Sequence, residues 1–331
     1  MNGPLEIRDV RAARGTRTDG WLSIGETADG PIRIPLVLLN GAEAGPVLCV
    51  TGGVHATEYA PIDAVLRLLN ETDPDTLRGA IIGVPVANMH MFESRRGFVS
   101  PLDGLNLNKI APGRRDGSIS EILAHVLLTE IIGAAEYHID FHAGDVGEDL
   151  LPFAGYSLTG DGHLDERGEM LARAFSPSLI SLSTETSTLP PFPGSLNFAA
   201  TRRGVVSILA EAGGNGTLDE ADVRVHLTGA RNVMRCLDMI DGGRPALSPR
   251  IAAMDRVVVR ATRGGLVRLK VRIGDEIAEG QEVAEICDVF GHVVEHVRAD
   301  GEGIVGLIWT HKVVSTGDPI VRYWITTPVQ T

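Results

Sequence analysis

Val47-Leu48-Cys49-Val50-Thr51-Gly52-Gly53-Val54-His55-Ala56-Thr57-Glu58 is the stretch on which the architecture of this chain turns. An apolar run broken by two glycines and followed by helical spacing reads as strand, turn and helix, the unit from which α/β sheets are built. Ile62, Val65, Leu66 and Leu69 place the helix over Glu58 to Leu69. Ile34 to Leu39 before the stretch and Ala80 to Val86 after it are further short strands, so Ile32 to Ala87 reads strand, strand, helix, strand. His55 and Glu58 fall just beyond a strand end, where a turn can aim both side chains at one point. Two ligands so close in sequence chelate an ion with little loop entropy to lose.

Two distant pieces complete a pattern. Asp140-Phe141-His142 ends the strand Tyr137 to Phe141, and Leu209-Ala210-Glu211-Ala212-Gly213 follows the buried strand Val205 to Leu209. His55, Glu58 and His142 make a three-ligand set that leaves the fourth position of a catalytic zinc open for water, and Glu211 remains as a base. His-x-x-Glu by itself arises readily by chance, and a histidine held by backbone partners near a turn is the alternative for His55. His138 shares a strand face with His142 but lies away from the strand end, so a buried or bridging histidine is expected there. Asp140 either orients a ligand or forms a salt bridge. A carboxylate delivered to a buried strand end, as Glu211 is, is costly without a partner, and the role of general base provides one.

Elsewhere, Asn88 to Arg115 is rich in Gly, Pro, Asn and Arg without periodicity and reads as a long loop of the kind that carries function. Ser118-Ile119-Ser120-Glu121 has the form of a capping box opening a helix to about Ile132. Asp161 to Phe175 and Asp219 to Ile240 are expected helices, and Pro190 to Gly194 approaches a shorter one. His90, His125, His163, His226, His292, His296 and His311 lack ligand-like spacing and are expected on surfaces, and Asp145 to Asp149 reads as a solvated acidic loop. No phosphate-binding or dinucleotide fingerprint is present. After Gly242-Gly243-Arg244-Pro245 the chain turns to short β-branched segments punctuated by glycines, an all-β pattern. A domain boundary is placed at 245 to 250, dividing a hydrolase domain over 1–245 from a β domain over 250–331. The latter resembles the sandwich of biotinyl and lipoyl carrier domains, but neither Lys270 nor Lys312 stands where those domains carry their modified lysine.

Of the 331 residues 44% are hydrophobic, enough for a large core, and Lys+Arg 30 against Asp+Glu 43 gives a net charge of −13. That charge repels nucleic acid and anionic membrane surfaces. Met1 to Arg17 has no apolar stretch to serve as a signal peptide, and no run approaches a bilayer span. Cys49, Cys236 and Cys287 stand singly, which fits buried thiols in a reducing cytoplasm.

Together these pieces resemble the succinylglutamate desuccinylase/aspartoacylase family, a branch of the zinc carboxypeptidase fold, and within it the group that includes N-acetyl-diaminobutyrate deacetylases. The resemblance extends through Asn88 to Arg96, Ser100 to Lys109, Pro112-Gly113 and the C-terminal β segment. It implies a mixed sheet flanked by helices and one zinc ion per subunit on His55, Glu58 and His142. It also implies Glu211 as base and proton shuttle, Arg96 rather than Arg95 on the scissile carbonyl, and Asn108 and Lys109 on an anionic or polar end of the substrate. Three residues depart from the family pattern: Ala56 for glycine, Lys109 for an arginine, and Ala111 in place of phenylalanine before Pro112-Gly113. Lysine cannot make arginine's two-pronged carboxylate contact, so the substrate is less determined than the reaction. The expected activity is a zinc-dependent deacylase acting on the amide of a small N-acylated amino acid, in a possible homo-oligomer. A carboxypeptidase, an ester hydrolase and a non-catalytic metal-binding scaffold are the alternatives.

Overall fold

The computed structural model describes residues 3–95, 97–175, 179–183, 194–247 and 252–327. Its spine is a mixed sheet of thirteen strands among the described residues. Four neighbouring strands, Val206–Glu211, Tyr137–His142, Glu43–Thr51 and Arg78–Val84, run parallel. Gly30–Asn40 and Thr16–Thr27 extend one side antiparallel. Helices cover both faces of the parallel strands, which are buried on both, with His138, Asp140 and Ser207 as polar groups within one face. Leu48 and Val50 face a core formed with Tyr59–Glu71, Gly162–Phe175 and Glu220–Cys236, while Val47 and Cys49 face Leu123, Leu127, Ile131 and Leu196 across the sheet.

The expected elements are present with shifted ends. The helix after His55 spans Tyr59–Glu71, and the strands fall at Gly30–Asn40, Arg78–Val84, Tyr137–His142 and Val206–Glu211. The loop expected over Asn88 to Arg115 contains a short helix, Met89–Ser94, and a single 3-10 turn, Leu107–Lys109. The Glu121 carboxylate accepts the Ser118 N–H at 2.8 Å, as a capping box requires. The helix it opens holds α geometry only over Ile119–Val126 and then continues as a wider turn, Leu127–Ile131. Pro190 to Pro193 lie outside the described residues, but the helix expected after them is Leu196–Thr201. Leu5–Ile7 and Val10–Ala12 form a small hairpin near the N-terminus, too short for a periodicity to betray.

The C-terminal segment is all-β, as its composition implies. Four strands form a separate sheet around Glu282–Cys287, and Gly303–Trp309, Pro319–Thr327 and Ala252–Arg260 join the long sheet. Ala252–Arg260 pairs parallel with Ile180–Ser183, so hydrogen bonding passes without a break from one part of the chain to the other. Glu148–Leu150, close after His142, pairs with Gly303–Trp309 and brings the β segment against the loop that follows that residue. No helix among the described residues is long and apolar enough to cross a membrane.

Candidate metal centre and active site

In an open parallel sheet, sites gather beyond the carboxyl ends of the strands. Three adjacent strands deliver the predicted residues there. The ladder sets Glu211 opposite His142 and Thr51 opposite Asp140, and the turn after Thr51 carries His55 and Glu58. Gly53 permits that turn: its φ of +61° is left-handed, and a Cβ on it would press on Val86 and Ile62.

His55, Glu58 and His142 converge and are all buried, with ligand atoms within 4.8 Å of one another. His55 Nδ1 lies 2.7 Å from Glu58 Oε1, and His142 Nδ1 lies 3.0 Å from Glu58 Oε2. Behind the rings, His55 Nε2 meets Asn106 Oδ1 at 3.1 Å and His142 Nε2 meets Asp140 Oδ2 at 3.4 Å. An oxygen behind each Nε2 favours a proton there, which turns each Nδ1 towards the Glu58 carboxylate. A proton on Nδ1 or a metal ion can occupy that gap, and two Nδ1 atoms with one carboxylate are a donor set that fits a zinc ion. Burial alone would raise the Glu58 carboxyl, but the facing His55 and His142 rings outweigh it and hold it at about 2. Burial likewise opposes charging His142, yet Glu58 and Asp140 carry its pKa well above the usual value.

A chain of buried polar groups supports His142. Asp140 Oδ1 accepts the Thr51 hydroxyl at 2.6 Å, Thr51 Oγ1 meets His138 Nε2 at 2.9 Å, and His138 Nδ1 meets Ser207 Oγ at 2.8 Å. His138 therefore bridges strands rather than joining the ligand cluster. Substituting Asp140→Asn removes the anion behind His142 and is expected to weaken zinc binding about 10- to 100-fold. Competition with a chromophoric chelator measures it, and unchanged affinity would leave Asp140 without that role.

Glu211 is delivered beside this cluster with Oε2 buried and lacking a hydrogen-bond partner among the described residues. Burial raises its carboxyl to about 8; His142 and Arg256 pull it down, while the Glu58 and Glu148 charges push it up. Asn108 stands next to His142, its Nδ2 3.4 Å from His142 Nε2 and its Oδ1 accepting the Leu196 N–H at 3.1 Å. Lys109 is exposed at the end of the same turn. Arg96 lies outside the described residues, and Arg95 is an exposed helix cap with a φ of 53°.

Sequence reading missed Asn106 and Phe98, whose ring meets the His55 ring edge-on at 5.0 Å. Asn106 could have been found from its place two residues before Asn108. Two surface expectations are corrected. His226 is fully buried, because it shares the inward stripe of its helix with Val223 and Ala230, and its Nε2 reaches Ala212 O at 3.1 Å. Asp145 is 3% exposed and accepts the Thr57 hydroxyl, since the loop after His142 folds back beneath the β segment. A second acid and histidine grouping, Glu282, Glu285 and His296, has its carboxylates engaged by Arg298 at 3.5 Å and Lys270 at 2.9 Å.

Burial lowers His138 and His226 to about 4 each. Both stay neutral in the fold while the unfolded chain takes up protons below about 6.5, so the stability they confer is complete above that pH and drains away as pH falls towards 4. Glu211 has the opposite sign: its raised pKa gives stability that is present at low pH and lost as pH rises. In metal-free Glu211→Gln protein, where that opposing titration is gone, urea stability should fall between pH 7 and pH 5 by about 2 kcal/mol for each histidine. Equal stability at the two pH values would count against this burial.

The succinylglutamate desuccinylase/aspartoacylase catalytic-domain model matches residues 44–237, which contain all of these central groups. The chain belongs to the succinylglutamate desuccinylase/aspartoacylase family. It is 28% identical to the N-alpha-acetyl-L-2,4-diaminobutyric acid deacetylase of Halomonas elongata, over 90% of this chain and 87% of that protein. Among solved structures it resembles product-bound EutE (DoeB), the ectoine utilization protein of Ruegeria pomeroyi, at 25% identity and a TM-score of 0.85 over 98% of both chains. It also resembles a succinylglutamate desuccinylase/aspartoacylase from Rhodobacter sphaeroides, at 25% identity and a TM-score of 0.82 over 94% of this chain and 95% of that one. The family model ends before the segment that supplies Arg256, so the neighbourhood of Glu211 draws on more of this member than the catalytic match alone.

Proposed function

We propose that this chain is a zinc-dependent amidohydrolase that removes the acyl group from a small N-acylated amino acid or related compound. The observation that carries the reading is the convergence of two imidazole Nδ1 atoms on the Glu58 carboxylate, with Glu211 Oε2 beside them and without a hydrogen-bond partner among the described residues. The deacetylase named among its relatives supports an N-acyl substrate.

His55, Glu58 and His142 would hold the ion, which when bound supplies Lewis acidity to polarise the scissile carbonyl and activate water. Glu211 takes the proton of the attacking water at its buried Oε2 and returns it to the leaving nitrogen, which is too basic to depart without it. Asn108 positions substrate beside His142, Arg96 polarises the carbonyl oxygen, and Lys109 meets the outer, polar end. The surrounding frame is read as a zinc-carboxypeptidase-like domain over 1–245 with a biotinyl-like β domain over 250–331. Three buried free cysteines support a cytoplasmic setting.

Zinc-loaded protein incubated with N-acetyl, N-succinyl and N-formyl amino acids should release free amine from at least one, and a chelator should stop it. Preference for peptides or esters would favour a carboxypeptidase or esterase on the same scaffold. Silence across all of them with zinc bound would refute the deacylase reading.

A further inference from the structure

Two arginines of the C-terminal segment reach the Glu211 side of the strand ends. Arg256 and Arg322 lie on the paired strands Ala252–Arg260 and Pro319–Thr327, with Arg256 opposite Trp324 and Val258 opposite Arg322. That register puts both side chains on one face as diagonal neighbours. Arg256 sits over the Phe153 ring, 5.7 Å from its centre, and Phe153 is the ladder partner of Glu211. Its Nη2 donates to Ser181 Oγ. Arg322 sits over Trp309, 5.2 Å from the ring centre, and Trp309 is the ladder partner of Glu148.

Neither guanidinium forms an ion pair among the described residues, and Arg322 Nε is buried with no hydrogen-bond partner. Burial lowers the pKa of both, to about 10 for Arg256, and each still carries its charge at neutral pH. Two partly buried like charges on neighbouring strands, attracted only at a distance by Glu211 and Glu148, are costly unless an anion enters between them. Each guanidinium lies against an aromatic ring, a setting that suits two-pronged recognition of a carboxylate.

We propose that Arg256 and Arg322 form the subsite that holds the carboxylate of the N-acylated substrate. This deepens the deacylase reading and rests on it. The subsite assigns to the C-terminal β segment a specificity role that the exposed Lys109, a point charge, cannot fill.

The test is isothermal titration of the full-length zinc-loaded protein with a matched pair, an N-acetyl amino acid and its carboxamide. The acid is the best-cleaved substrate found, or N-acetylglycine if none is cleaved. The natural chain should bind the acid at least tenfold more tightly than the amide. Arg256→Gln and Arg322→Gln should each weaken the acid about tenfold and leave the amide within twofold, and in turnover the loss should appear as a raised KM for the acid. If a glutamine variant does not fold, Arg256→Lys and Arg322→Lys keep the charge and lose the fork, and weaker acid binding is expected again. Equal binding of acid and amide by the natural chain, or unaltered acid binding in the variants, overturns the subsite. Amine release without such discrimination removes the subsite and keeps the deacylase. Discrimination without amine release removes the deacylase and keeps the subsite.

Discussion

Glu211→Gln should retain a full complement of zinc and lose between about 100- and 10,000-fold in kcat, the range that a positioned general acid–base supplies. The amide has the shape of the carboxyl but cannot take a proton from water and pass it on. Because Glu211 Oε2 has no hydrogen-bond partner among the described residues, the exchange breaks no bond at that atom. It also removes a buried group that would otherwise ionise as pH rises. The variant should therefore be at least as stable as the natural chain at pH 8, which separates lost chemistry from lost folding. Zinc content, circular dichroism and turnover on one preparation decide the matter, and turnover near the natural rate would remove Glu211 from its role.

Glu58→Ala should abolish stoichiometric zinc and with it all activity. Glu58 is the hub of the cluster: one oxygen faces His55, and the other faces His142 and accepts the Ala143 N–H at 3.1 Å. Truncating it leaves two imidazoles and a backbone donor without the anion that organises them, and breaking a buried charged pair in this way costs about 3–5 kcal/mol. Metal analysis after dialysis should find background zinc, and thermal melts should show a lower midpoint than for Glu211→Gln. A variant that still holds one zinc per chain would show that the ion sits elsewhere.

The four residues proposed as ligands and base stand out in the sequence because they follow short apolar runs, and such runs in an α/β pattern end where sites collect. Their convergence could be expected only in outline. That His142 pairs opposite Glu211 is a matter of register between strands whose paired residues lie far apart in the chain. Asn106 and the Asp140-to-Ser207 chain were hidden for the same reason, since partners brought together by sheet order leave no local mark. His226 was misjudged by weighing ligand spacing alone, when the helical spacing from Val223 already turned it inward. Arg256 and Arg322 were out of reach: nothing in a run of β-branched residues tells that one strand continues a sheet begun before the apparent boundary.

That continuity governs what can be removed from the molecule. A chain cut after residue 247 would leave Ile180–Ser183, which pairs on one side with Phe153–Ser157 and on the other with Ala252–Arg260, as a bare parallel edge. Open N–H and C=O groups on an uncovered edge strand recruit other chains, so the truncated protein would self-associate rather than persist as a smaller enzyme. The β segment serves the catalytic part as a seal on its open side.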